Sequence, residues 1–150
     1  MELSEEEHSW MHFIRMVAAL PGALDTSLQS MAGLNFSEFY VLLHVWNAPQ
    51  QTLQMTNLAE VTSMSLSRLS HLAGRLEARG LAIRSRSSAA ERRVTLLTVT
   101  DAGGELLERT TPQHFAELKN SALATYTADD IHQLAELSQR LLDGMSAWHE

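Results

Sequence analysis

The feature that most limits what this chain can become is a change of hydrophobic period at Gly80. Before it, "QMTNLAEVTSMSLSRLSHLAGRLEARG" spaces its apolar residues as helices do. Leu58 and Val61 mark a first short helix. Leu66, Leu69, Leu72, Ala73 and Leu76 line the inner face of a second, longer one. Thr56 and Ser65 stand where N-caps belong, and Gly80 where a helix end takes a left-handed residue. After Gly80, "LAIRS" alternates apolar and polar, "VTLLTVT" is β-branched, and "RSSAAER" between them is polar. A short helix, a tight turn, a longer helix and then a β-hairpin make a winged helix-turn-helix.

The flanks are helical. Residues 5–20 carry Trp10, Phe13, Ile14 and Val17 at helical spacing; Pro21-Gly22 is expected to kink or end that helix before a further stretch at 23–32. "NFSEFYVLLHVWNAP" opens on a capping box, Asn35 with Glu38, and buries Phe39, Leu42, Leu43 and Trp46. Thr100-Asp101 starts another helix with Leu106, Leu107, Phe115 and Leu118, although Gly103-Gly104 weakens its first turn. Thr127 with Asp130 caps a last one, striped by Ile131, Leu134, Leu137, Leu141, Met145 and Trp148. The fold class is therefore mainly α with a small β-hairpin wing. The whole of 1–150 is read as one domain, with a winged helix over about 35–100 and flanking helices at about 5–32 and 101–148. The flanking helices carry more apolar surface than a small winged helix can cover, which points to a homodimer.

Charge is segregated. The chain has 11 basic and 18 acidic side chains, a net charge of -7, yet Arg68 to Arg93 holds seven arginines against two glutamates. A uniformly acidic protein repels nucleic acid, whereas one with a separate basic surface binds it there. There is no cysteine, which excludes disulfides, thiolate metal sites and cysteine nucleophiles. No apolar run has the length of a membrane span, and "MELSEEEHSW" is acidic where a secretory signal is basic, so a cytoplasmic protein with no membrane partner is expected. No phosphate loop or metalloprotease signature occurs. His8 and His12 lack an evident third ligand, so no metal, no cofactor and no enzyme activity are expected.

The stretch "LAEVTSMSLSRLSHLAGRLEARGLAIR" resembles the helix-turn-helix of the MarR family of transcription regulators, with its "RLExxGL" run before the wing. "ERRVTLLTVTDAGGELL" is similar to that family's wing, an Asp-x-Arg loop leading into "LTxxG". Glu91-Arg92-Arg93 occupies the Asp-x-Arg positions, and the likeness extends over nearly the whole chain. Three positions depart from the pattern. Glu91 replaces Asp, Ala90 stands where many members carry Arg, and Thr62 stands where Leu is common.

On that frame the arginines acquire roles. Ser65, Ser67, Arg68 and His71 lie on the N-terminal part of the recognition helix, which faces base edges in the major groove. Arg68 can read guanine with two donors. Ser65 is either an N-cap, a DNA contact or both, and His71 either a base contact or a surface imidazole. Arg75 is placed for phosphate, while Arg79 complements the helix C-terminal dipole. Arg84, Arg86, Arg92 and Arg93 belong to the wing. The resemblance implies that Arg93 enters the minor groove, oriented by Glu91.

The resemblance further implies a repressor that releases a pseudo-palindromic operator in duplex DNA when a small aromatic acid binds. Arg15 is a candidate partner for such an anionic effector, with Met16, Phe39 and Leu43 as apolar walls; alternatively, Arg15 pairs with a nearby Glu or with water. The competing function is a winged-helix protein-interaction module without direct DNA readout.

Overall fold

The computed structural model describes residues 2–87 and 94–146. The chain forms two compact units, Met1–His114 and Phe115–Glu150, with the division inside a continuous helix.

In the first unit α1 runs unbroken from Glu5 to Ala32, opened by a Ser4–Glu7 capping box and closed by Gly33 at φ 63°. The expected break at Pro21-Gly22 does not occur. A proline inside a helix costs roughly 3 kcal/mol. Downstream, Leu24 and Leu28 are buried, and burying a leucine contributes roughly 1.5–3 kcal/mol. The anchored second half therefore carries the helix through. α2 (Phe36–Trp46) begins with the anticipated Asn35–Glu38 box. α3 (Met55–Val61) starts at Met55 with no side-chain cap; Thr56 does not cap it. α4 (Leu66–Ala78) is capped by Ser65, whose Oγ accepts from the Arg68 N–H at 3.2 Å.

The sheet has three antiparallel strands rather than two. β1 (Thr52–Gln54) pairs with β3 (Thr95–Val99), which also pairs with β2 (Ala82–Arg86). Three residues are too few to display a period of two, so β1 is invisible in the sequence. Its place is set by Leu53 opposite Leu97 and by Thr52 and Thr98, whose hydroxyls meet at 2.8 Å. The hairpin continues to the Ser87 N–H, which donates to the Val94 carbonyl.

One core joins these elements: Leu28, Leu34, Leu42 and Val45 pack with Leu58, Leu69, Leu72, Leu76, Leu97 and Leu107. Thr62, at the family's leucine position, is buried too, its hydroxyl donating to the Leu58 carbonyl. Two residues expected in that core are not. Val61 and Leu66 flank the turn between α3 and α4 and are each 51% exposed. β2 is tied to α4 by Glu77, which accepts from the Arg84 N–H at 2.7 Å and from the Arg84 guanidinium at 2.6 Å. The guanidinium and then the backbone N–H hold the Glu77 carboxyl below its ordinary range.

The Gly103-Gly104 pair, which reads as a weakness in α5 (Asp101–Asn120), is a packing requirement. A Cβ on Gly103 would come within 2.2 Å of the Leu81 carbonyl oxygen, and one on Gly104 within 2.3 Å of the Trp46 ring. In the second unit, α6 (Ala128–Ser146) starts at the Thr127–Asp130 arrangement, Asp130 accepting from the Thr127 N–H and hydroxyl at 2.7 Å each.

Gly103→Ala is expected to lower the unfolding free energy by ~1–3 kcal/mol, because the obstructing atom is backbone. Gly22→Ala, with open space around it, should raise it by up to ~1 kcal/mol. Urea unfolding at a fixed chain concentration checks both. A second outcome concerns acid. Glu77 has a folded pKa below its ordinary 4.5, so its contribution is complete above that value and is lost as pH falls through the lowered folded value. Glu77→Gln should flatten that part of the stability profile, measured by urea unfolding at a series of pH values below neutrality.

Candidate nucleic-acid interface

The geometry of α4 follows from its leucines. Leu69, Leu72, Ala73 and Leu76 are at most 1% exposed and fix one face of the helix inward. At 3.6 residues per turn the opposite face is centred on Ser67 and His71, with Gly74 and Ala78 continuing it. Ser65, Ser67, Arg68, His71 and Arg75 are all exposed. Ser67 and His71 thus centre the outer face, Arg68 and Arg75 flank it on the side of α2, and Ser65 precedes the helix as its N-cap.

Their side chains are not equally available. The Ser65 oxygen is occupied as N-cap. Arg68 donates from Nη2 to the Ser37 hydroxyl at 3.1 Å, which lays its guanidinium along the start of α2. Arg75 donates from Nε to Glu38 Oε1 at 2.9 Å and remains 54% exposed, so one edge of its fork still faces water. A cleft of about 370 Å³ opens between the start of α2 and α4, lined by Phe36, Ser37, Arg68, His71, Leu72 and Arg75 together with Pro21, Asp25 and Asn35. Asp25 is engaged there, accepting from the Phe36 N–H at 2.6 Å.

Arg79 corrects the expectation that it serves the dipole of its own helix. It donates to the carbonyls of Gly33 at 2.7 Å and Ala32 at 3.3 Å, at the end of α1. Arg84 is drawn inward by Glu77 and also donates to Ser70, so it lies against α4. Arg86 is exposed at the end of β2. Glu91, Arg92 and Arg93 lie outside the described residues.

Sequence reasoning missed Ser37 and the second role of Glu38. The signal for Glu38 was half present, since a capping-box acid was legible. Its partner Arg75 lies 37 residues away, beyond the reach of any local pattern.

The expected effector residues are dispersed in exposure. Arg15 is exposed on α1 and Met16 is 42% exposed; Leu43 is half-buried and Phe39 is 3% exposed in the core. Phe39 meets His114 edge-on, ring centres 5.2 Å apart. Among the described residues no three His, Asp or Glu side chains converge on a metal position, and no helix is long and apolar enough to cross a membrane.

Comparison with known proteins follows the same lines. The MarR family model matches residues 32–93. A search of curated protein sequences returns no match. Among solved structures, Sco3205 from Streptomyces coelicolor, a MarR family transcriptional regulator in complex with DNA, is 29% identical. The match covers 97% of this chain and 94% of that one, with a TM-score of 0.88. AbsC, a MarR family transcriptional regulator from the same organism, is 23% identical, with 98% and 99% covered and a TM-score of 0.87. The PcaV transcriptional regulator of Streptomyces coelicolor, in complex with its natural ligand, is 23% identical, with 95% and 98% covered and a TM-score of 0.75. With the family model lying on residues 32–93 and the Sco3205 fold followed almost from end to end, the chain is similar to MarR family transcriptional regulators in its helix-turn-helix and in its overall fold.

Proposed function

We propose that this chain binds duplex DNA as a homodimer and acts as a ligand-responsive repressor. The observation that carries the reading is the outer surface of α4, where Ser67, Arg68 and His71 stand exposed on a helix whose other face is fixed by buried leucines. A helix of this diameter fits the major groove, where a guanidinium can pair with guanine. Sco3205, the relative at 29% identity, was solved in complex with DNA. In this reading Arg75 and Arg86 meet phosphates, Arg84 braces the hairpin against α4, and Arg92 and Arg93, with Glu91, carry the wing into the minor groove.

Dimerisation is supported by apolar surface in each unit. On α1 of the first, Trp10, Met11, Ile14, Val17 and Leu20 are 39–54% exposed. On α6 of the second, Leu134, Leu137, Leu142 and Met145 are 42–57% exposed. Surface of this kind marks a protein interface, and a two-fold pair matches a palindromic operator with half-sites ~10 bp apart. Occupying that operator excludes other proteins from it, which is repression at its simplest. The ligand response rests on Arg15, a cation exposed on α1, and on the natural ligand seen with PcaV. The effector class proposed is a small anionic aromatic acid.

Binding measured by fluorescence anisotropy on selected duplexes tests the first part. Two chains of 16.7 kDa should bind each operator. Arg68→Ala should cost ~1–3 kcal/mol and relax preference at one position per half-site, whereas Arg93→Ala should weaken all sequences evenly and lower the salt slope by about 1. A folded protein that binds no duplex would instead be an interaction module. The effector is tested by adding benzoate- and salicylate-like acids to the preformed complex. Release from the wild type, and a diminished response in Arg15→Ala, is the expected result.

A further inference from the structure

Leu66 is the first residue of the recognition helix, and it was expected in the core. It is 51% exposed instead. It lies at the rim of a shallow cleft lined by Thr56, Ala59, Glu60, Ser63 and Met64, where Ala59 and Met64 cover only part of it. A large aliphatic side chain left in water at that point forgoes the burial that Leu69 and Leu72, one and two turns further on, obtain completely.

The neighbouring first-turn groups are already engaged. The Ser65 oxygen holds the Arg68 N–H, and the Arg68 guanidinium donates to Ser37. Arg68 keeps donors beyond the one given to Ser37, so the exposed first-turn side chains are Leu66, Ser67 and Arg68, and only Leu66 is apolar. The N-terminal turn of a recognition helix is the part that enters the major groove. On the floor of that groove the apolar group is the C5-methyl of thymine; the other features are hydrogen-bond donors and acceptors.

We infer that Leu66 is a specificity determinant that packs on a thymine methyl in each half-site, reading one base by apolar contact beside the polar readout of Arg68. This rests on the DNA-binding reading above and deepens it. It assigns the operator a thymine at a position where a cytosine, lacking the methyl, is discriminated against without any hydrogen bond being lost to Leu66. Ser67 and His71, on the outer face of α4, would address the adjoining base pairs.

The experiment removes the methyl and nothing else. An operator selected from random duplexes by the wild-type protein is resynthesised with single deoxyuridines in place of thymidines, and each version is titrated by fluorescence anisotropy. The wild type should lose about fourfold in affinity at one thymine per half-site, the size of one buried methyl group. Leu66→Ala should bind the parent operator more weakly and be indifferent to deoxyuridine at that position, while retaining its preference elsewhere. Because Leu66 is exposed, the variant should keep the wild-type urea midpoint. Uniform indifference of the wild type to every deoxyuridine overturns the assignment, as does a Leu66→Ala profile identical to that of the wild type. A wild type that selects no duplex at all overturns the DNA-binding reading itself, and the assignment with it.

Discussion

The winged helix hangs on one carboxylate. Glu38 is 6% exposed, yet it serves three partners. It closes the capping box by accepting from the Asn35 N–H at 3.1 Å, it accepts from Arg75 Nε at 2.9 Å, and it lies 3.8 Å from Arg79. Arg79 in turn holds the last carbonyls around Gly33. A single acid thus connects the corner between α1 and α2 to α4. A buried charge is tolerated only where its oxygens are supplied with donors, and removing one partner leaves the remainder costly. The leucines of α4 press it against the core, but apolar contacts are non-directional. The ion pairs along one edge supply the direction that the leucines lack.

A second clamp fixes the hairpin. Glu77 binds both the backbone and the side chain of Arg84, so β2 is registered against α4 at the residue where it leaves the core. Arginine is suited to this because its planar fork meets a carboxylate with two donors at once. Four arginines of the basic segment are therefore working inside the protein as well as at its surface: Arg68 on Ser37, Arg75 and Arg79 at Glu38, Arg84 on Glu77. The cluster that looks in sequence like a uniform electrostatic patch is divided between holding α4 and the hairpin in place and presenting charge to solvent.

The same division governs the apolar residues. The interior of the first unit is closed by leucines from five helices and the sheet, while Trp10, Ile14 and Val17 stay on the surface of α1. In the second unit α6 is amphipathic, and Leu134, Leu137, Leu142 and Met145 on it are exposed. Apolar surface of this extent is characteristic of protein interfaces, and it is what supports the proposed homodimer.

What the sequence determined alone is the set of local choices. Helix periods, the Asn35–Glu38 and Thr127–Asp130 caps, the Ser65 cap, the left-handed Gly80 at φ 71° and the switch to strands after it are all interactions within a few residues, and each is written in neighbouring letters. The tertiary structure decided whatever depends on residues far apart. Pro21 does not end α1, because Leu24 and Leu28 are anchored elsewhere in the core. β1 exists because β3 offers it an edge. Gly103 and Gly104 are required by the Leu81 carbonyl and the Trp46 ring. Leu66 has the spacing of a core residue but stands in water, because the helix begins there and its stripe runs past the edge of the core. Periodicity reports which side of a helix a residue occupies; only the packing of the other elements settles how far along that side the interior extends.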